Sequence, residues 1–185
     1  MSVHSERVAA FHDLHSSGCF VMPNPWDAGS ACALEQFGFK ALATTSAGFA
    51  WTLGRADNHV TLDQTLEHLR VVVDAVDVPV NADFEGGFAA DPQQVNANVK
   101  LATTTGIAGL SIEDSTGDEA APLHDFDLAV DRIRAARAAI DEAAAAVAIA
   151  INSSGAVSIR TTKLLTVEQV DDALGRAVNY QKPGS

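Results

Sequence analysis

The sequence predicts a parallel α/β protein on three observations. Short apolar runs alternate with longer segments of helical period, helix-start signals recur between them, and the long polar, glycine-rich connections all follow the apolar runs. Parallel strands joined by crossover helices produce this pattern, because strands covered on both faces read as continuous apolar runs.

Taken in order, a polar first helix is expected over Ser5 to Ser16, within an N-terminal segment 1–17. The strands that follow are read at "CFVMPN" (19–24), "ALATTS" (41–46), "VPVNAD" (78–83) and "AGLSIED" (108–114). Helix starts are marked where Asn24 precedes Pro25 and Asp91 precedes Pro92, since proline suits the first helical turn. Thr61 and Thr166 each have glutamine three residues on, the pattern of a capping box.

Between 143 and 162 two strands compete, "AVAIAI" and "AVSIRT", on either side of an Asn-Ser-Ser-Gly turn. In the second reading Arg160 stands at the functional end of a strand; in the first it is ordinary loop or edge surface. A last helix is expected over Thr166 to Gln181.

The chain has 185 residues, 47% hydrophobic and 19% charged, enough for one sizeable core. We therefore expect a single domain over 1–185, with 143–185 as its divergent or truncated end. A formal charge of -12 argues against nucleic acid or an anionic membrane surface as partner, because both would repel it at long range. Two cysteines, Cys19 and Cys32, are too few for a disulfide framework and are expected as buried, reduced thiols. With no signal segment and no apolar run of about 18 residues, a cytoplasmic location is expected.

In parallel α/β architectures ligands bind at the carboxyl ends of strands, so the loops "NPWDAGSA", "TSAGFAWTLGRADNHV", "DFEGGFAA" and "EDSTGDEAAPLHD" mark the working face. Asp83, Glu85, Glu113 and Asp114 end two neighbouring strands there, and Asp57 lies on the loop from another. Oxygen donors without a cysteine or histidine cluster suit a hard cation, Mg2+ or Mn2+. A single such acid would read as a helix cap; acids on three loops of one face favour a metal site.

"TTSAGFA" (44–50) offers backbone amides, hydroxyls and a glycine suited to a carboxylate or phosphonate. The six histidines are dispersed and none is expected to be essential. No Gly-x-Ser-x-Gly elbow is present, so nucleophilic hydrolysis is unsupported. Trp26 and Trp51 flank the predicted mouth and read as packing rather than ligand contacts.

The ordered pieces "NPWDAGSA", "TTSAG" with "LGRAD", "VNADFEGGF" and "GLSIEDS" resemble the isocitrate lyase and phosphoenolpyruvate mutase superfamily, over residues 18 to about 140. The resemblance implies a (β/α)8 TIM-barrel type fold, here incomplete with about five βα units. It also implies Mg2+-dependent chemistry on a small 2-oxo or 2-hydroxy acid through an enolate, with C–C or C–P bond cleavage or rearrangement. Carried over by position, Thr45, Ser46 and Gly48 would bind the substrate carboxylate, Asp57 would act on the mobile gating segment, and Asp83, Glu85 and Glu113 would serve the metal. Arg160 would bind the substrate's anionic end.

The chain departs from the family's Asp-x-Asp-x-Gly-Tyr-Gly pattern at Asn81, and Glu85 is expected to restore the lost charge. The loop after the fourth strand lacks the cysteine of the family's lyases, which disfavours isocitrate or methylisocitrate cleavage by that route. A five-stranded remnant would expose its edges, so self-association as a homo-oligomer is expected. The competing expectation is an inactive partial barrel held together by that association.

Overall fold

The computed structural model describes residues 3–118, 120–142 and 148–152. In chain order the elements are α1 (Val3–Ser16), α2 (Ala28–Gln36), β1 (Leu42–Ala43), α3 (Ser46–Thr52) and α4 (Leu62–Asp74). They continue with β2 (Val80–Asp83), α5 (Pro92–Thr103), β3 (Gly109–Glu113), α6 (Phe126–Glu142) and β4 (Ala148–Asn152). The four strands form one parallel sheet in the order β1-β2-β3-β4. Each strand pairs with its predecessor and the order never reverses, which is the wiring of a (β/α) barrel rather than of a doubly wound sheet.

The pleat divides the sheet into two faces. Leu42, Val80, Ala82, Phe84, Leu110 and Ile112 join one buried cluster with Leu66, Leu69, Val72 and Val73 of α4, Val95 and Val99 of α5, and Ile133 and Ile140 of α6. Successive side chains on a strand point to opposite faces, so the alternate positions Asn81, Asp83, Ser111 and Glu113 line the other face. Asn81 Nδ2 donates to Ser111 Oγ across it at 2.9 Å.

At the amino ends of the strands α1 closes that polar face. Its Val8 and Phe11 pack with Ala41 and Ala108 in a second apolar cluster. A Cβ on Gly109 would lie 2.5 Å from the Phe11 ring, so glycine is required where the helix meets the sheet. The carboxyl ends are left to the loops.

Local chemistry explains the helix starts. Thr61 and Gln64 cap α4 reciprocally, and Asp91 caps α5 with Pro92 in its first turn, as the sequence predicts. The first predicted start is corrected: α2 begins at Ala28 under Asp27, whose Oδ1 accepts the Ser30 amide at 2.7 Å, not at Asn24–Pro25.

The run 19–24 is likewise not a strand. Ala43 N–H donates to Pro23 O at 3.1 Å and Asn24 Nδ2 to Ala43 O at 2.9 Å, so the segment lies beside β1. Pro23 and Pro25 have no N–H to continue a ladder. Cys19, expected to be buried, is therefore exposed, while Cys32 is half-buried with Sγ 3.2 Å from Ala75 O.

Of the two competing segments near the end, the strand is Ala148–Asn152, which overlaps "AVAIAI" (146–151). That is the alternative in which Arg160 has no place at a strand end; Arg160 and the helix expected over Thr166 to Gln181 lie outside the described residues. Among the described residues no helix is long and apolar enough to cross a membrane.

Candidate functional site

The register sets the site. Asp83 is the Cα partner of Ser111 and Glu113 of Asn152, so β2 and β3 both end in carboxylates on the polar face, Glu113 two residues further along than Asp83. Asp83 is fixed from two directions: its Oδ2 accepts the Ser46 amide at 2.8 Å and its Oδ1 the Glu85 amide at 3.3 Å. Its own N–H donates to Thr44 Oγ1 at 2.9 Å.

Beyond Asp83 the chain makes a tight turn with left-handed backbone at Glu85 (φ 46°), Gly87 (φ 73°) and Phe88 (φ 57°). Left-handed geometry is easy for glycine but costs about 1 kcal/mol or more elsewhere, so Glu85 and Phe88 are held there against their preference. Phe84 and Phe88 pack edge to face at 5.1 Å, Asn98 Nδ2 donates to Gly87 O at 2.9 Å, and Glu113 N–H donates to Glu85 O at 2.9 Å. The turn thereby places Glu85 against the end of β3.

Glu85 is 8% exposed, and its Oε1 is buried without a hydrogen-bond partner. Burial first, then the fields of Asp83, Asp57 and Glu113, pushes its carboxyl up to about 7. Burial and the fields of Asp83, Asp57 and Asp114 likewise raise the Glu113 carboxyl above its ordinary range. Acids from three loops thus share one electrostatic neighbourhood, whose charge adds to burial in raising Glu85 and Glu113. Among the described residues no three Asp, Glu, His or Cys side chains stand close enough together to hold a metal ion between them. The donor chemistry still fits Mg2+, which keeps several waters and takes only one or two carboxylates directly. The orphaned Glu85 oxygen is the atom that most needs such a partner.

The loop after β1 is arranged differently from expectation. Thr45 caps α3, its Oγ1 accepting the Gly48 amide at 3.3 Å, while the Ser46 amide is taken by Asp83. Two amides expected to face a substrate carboxylate are therefore used within the protein. Gly48 has a packing reason: a Cβ there would lie 2.5 Å from Trp26 Cδ1 and 2.6 Å from Thr45 Cγ2. Trp26 in turn meets Trp51 edge to face at 5.5 Å, with both rings exposed to solvent.

Asp57 lies on the exposed loop between α3 and α4, its Oδ1 accepting the Asn58 amide at 3.0 Å. Its field reaches both Glu85 and Glu113.

One residue of this region escaped the sequence reading. Arg132, in the middle of α6, is 1% exposed and donates to Glu113 O, Gly86 O and Ala89 O. It sits at an apolar position of an amphipathic helix, in line with buried Ala129 and Ala136, and that misplaced charge is the available signal.

Sequential parallel βα units with acids gathered at the strand ends define a barrel-type α/β protein with a candidate cation site. The profile of the phosphoenolpyruvate phosphomutase family matches residues 11–185, and the chain belongs to that family. It is 35% identical over 111 residues to an uncharacterised protein of Mycobacterium tuberculosis H37Rv, covering 60% of this chain and 42% of that one. It is 29% identical over 193 residues to 2-methylisocitrate lyase of Escherichia coli K12, covering 100% of this chain and 62% of the lyase. A Burkholderia cenocepacia J2315 structure provisionally assigned as a lyase/mutase superposes with a TM-score of 0.78 at 40% identity, over 82% of this chain and 54% of that one. The chain thus spans less than two thirds of the length of these relatives.

Proposed function

We propose that this chain carries the metal half of an Mg2+-dependent site that cleaves or rearranges a C–C or C–P bond in a small 2-oxo or 2-hydroxy acid. The observation that carries the reading is the placement of Asp83, Glu85 and Glu113 at neighbouring strand ends, where burial first and the nearby acids second raise the Glu85 and Glu113 carboxyls and one Glu85 oxygen has no partner. The likeness to 2-methylisocitrate lyase supports the substrate class. The phosphonopyruvate hydrolase structure solved with oxalate and Mg2+ shares the fold at a TM-score of 0.75 and 22% identity.

Asp83, Glu85 and Glu113 would hold the ion, directly or through water, and the ion when bound would supply a Lewis acid for charge developing on the substrate oxygen. Asp83 is oriented by the Ser46 and Glu85 amides, so the carboxylate is set before any ligand arrives. The Ser46 hydroxyl would hold the substrate carboxylate, with Thr45 and Gly48 shaping the turn that presents it. The Asp57 loop would close over the site and exclude water.

The test is product formation. With Mg2+ and a panel of 2-oxo and 2-hydroxy acids, the chain should release pyruvate or enolpyruvate. A chelator should abolish this, and Glu113→Gln should lower it at least about tenfold. A folded sample giving no chelator-sensitive product from the panel would sink the reading.

A further inference from the structure

Two backbone segments carry the acids: the Glu85–Ala89 turn after β2, with left-handed backbone at Glu85 and Phe88, and the carboxyl end of β3. One side chain reaches both. Arg132 Nη1 donates to Glu113 O at 3.2 Å, while Nη2 donates to Ala89 O at 3.1 Å and also to Gly86 O. It is the largest fully buried side chain among the described residues, and its Nε has no hydrogen-bond partner.

Burying a guanidinium is costly unless its donors are used, so a side chain spent on three carbonyls of two separate loops fixes those loops to each other. A second observation agrees. A Cβ on Gly86 would lie 3.3 Å from both Arg132 Nη2 and Ser115 O, so the turn passes close between the guanidinium and the loop after β3. Lysine could not span the same acceptors, since its ammonium is a point donor and the guanidinium a rigid planar fork.

The geometry points to Arg132 as a positioning residue that clamps the Glu85–Ala89 turn to the end of β3, so that Glu85 and Glu113 face the same cation. Arg132 touches no reacting atom; it acts through the backbone that bears the acids. The inference rests on the metal reading for what the two loops hold, and on hydrogen bonds alone for how they are held.

The test titrates Mn2+ into the full chain and follows the free ion by electron paramagnetic resonance. Arg132→Lys should weaken Mn2+ binding by about tenfold or more. Val72→Ala is the control, because it removes buried volume from α4, which makes none of these contacts. It should leave the affinity within about twofold, whatever it costs in stability. Wild-type affinity in a folded Arg132→Lys variant overturns the inference. If that variant does not fold, Gly86→Ala takes its place, crowding the guanidinium while keeping it. A loss of about threefold or more supports the clamp, and no loss overturns it.

Should the wild-type chain bind no Mn2+, the metal reading fails and the clamp is judged separately by amide hydrogen exchange. The Glu85, Gly87 and Glu113 amides donate to Asp83 Oδ1, Phe84 O and Glu85 O, and they should exchange faster in the Arg132 or Gly86 variant than in Val72→Ala. Equal exchange would overturn the clamp.

Discussion

The two faces of this sheet answer to opposite demands. On the helix-covered face Leu42, Val80, Ala82, Phe84, Leu110 and Ile112 are almost wholly removed from water and gain by it. On the other face, one residue along in each strand, Asn81, Asp83, Ser111 and Glu113 bring polar and acidic groups together, and Glu85 is buried among like charges at a cost. The difference teaches where stability ends and the candidate site begins: one face lowers the free energy of the fold, and the other spends some of it on buried acids, those we propose hold a cation.

Substitutions should separate the two faces. The largest effect is expected on the covered face, where Phe84 is 0% exposed. Phe84→Ala should lower unfolding stability by about 3–5 kcal/mol, measured by denaturant titration. A loss below about 1 kcal/mol would mean that this face is not the main core.

The next effect is a pH dependence on the helix side. His68 of α4 stacks on Phe49 at 3.9 Å, and its Nε2 is buried without a partner. Burial pushes its pKa down to about 4, against a smaller opposing field from Asp27. The unfolded chain then binds more protons than the folded one between about pH 4 and 6.5. Stability from this group is complete above about 6.5 and is lost as pH falls toward 4, by at most about 3 kcal/mol. In His68→Leu that acid-side loss should disappear from a series of melts.

The carboxylates run the other way. Because the folded pKa of Glu85 is raised to about 7, by burial and by Asp83, Asp57 and Glu113, the folded state binds more protons there. Stability is fully present below about 4.5 and falls as pH rises through 7. In chelator at pH 8, Glu85→Gln should therefore be more stable than the wild type by about 1–2 kcal/mol while binding Mg2+ more weakly by calorimetry. Added Mg2+ should offset the alkaline loss in the wild type only. A Glu85→Gln variant with lower stability and unchanged Mg2+ affinity would erase the contrast between the faces.

Much of this was legible in the sequence, for identifiable reasons. The caps at Thr61 and Asp91 are local chemistry, written in residues three apart, and they appear as read. The strands containing Asp83 and Glu113 were visible because buried parallel strands are apolar runs. The run at 19–24 has the same composition and is not a strand, since Pro23 within it and Pro25 just after it have no N–H to give a ladder. At 143–162 two apolar runs competed, and pairing with β3 identified Ala148–Asn152 as strand. The Ser46 amide was assigned to a substrate, whereas a carboxylate from the next strand receives it.

The sequence by itself determined the family, the alternation of strand and helix, and the identity of the acids at the strand ends, because these depend on neighbours along the chain. Only the tertiary structure decided that Glu85 is buried in a left-handed turn, that Asp83 is oriented by the loop of another strand, and that a charged residue of α6 ties two loops together. Those facts depend on groups far apart in sequence, and no local pattern of residues encodes a distance across a fold.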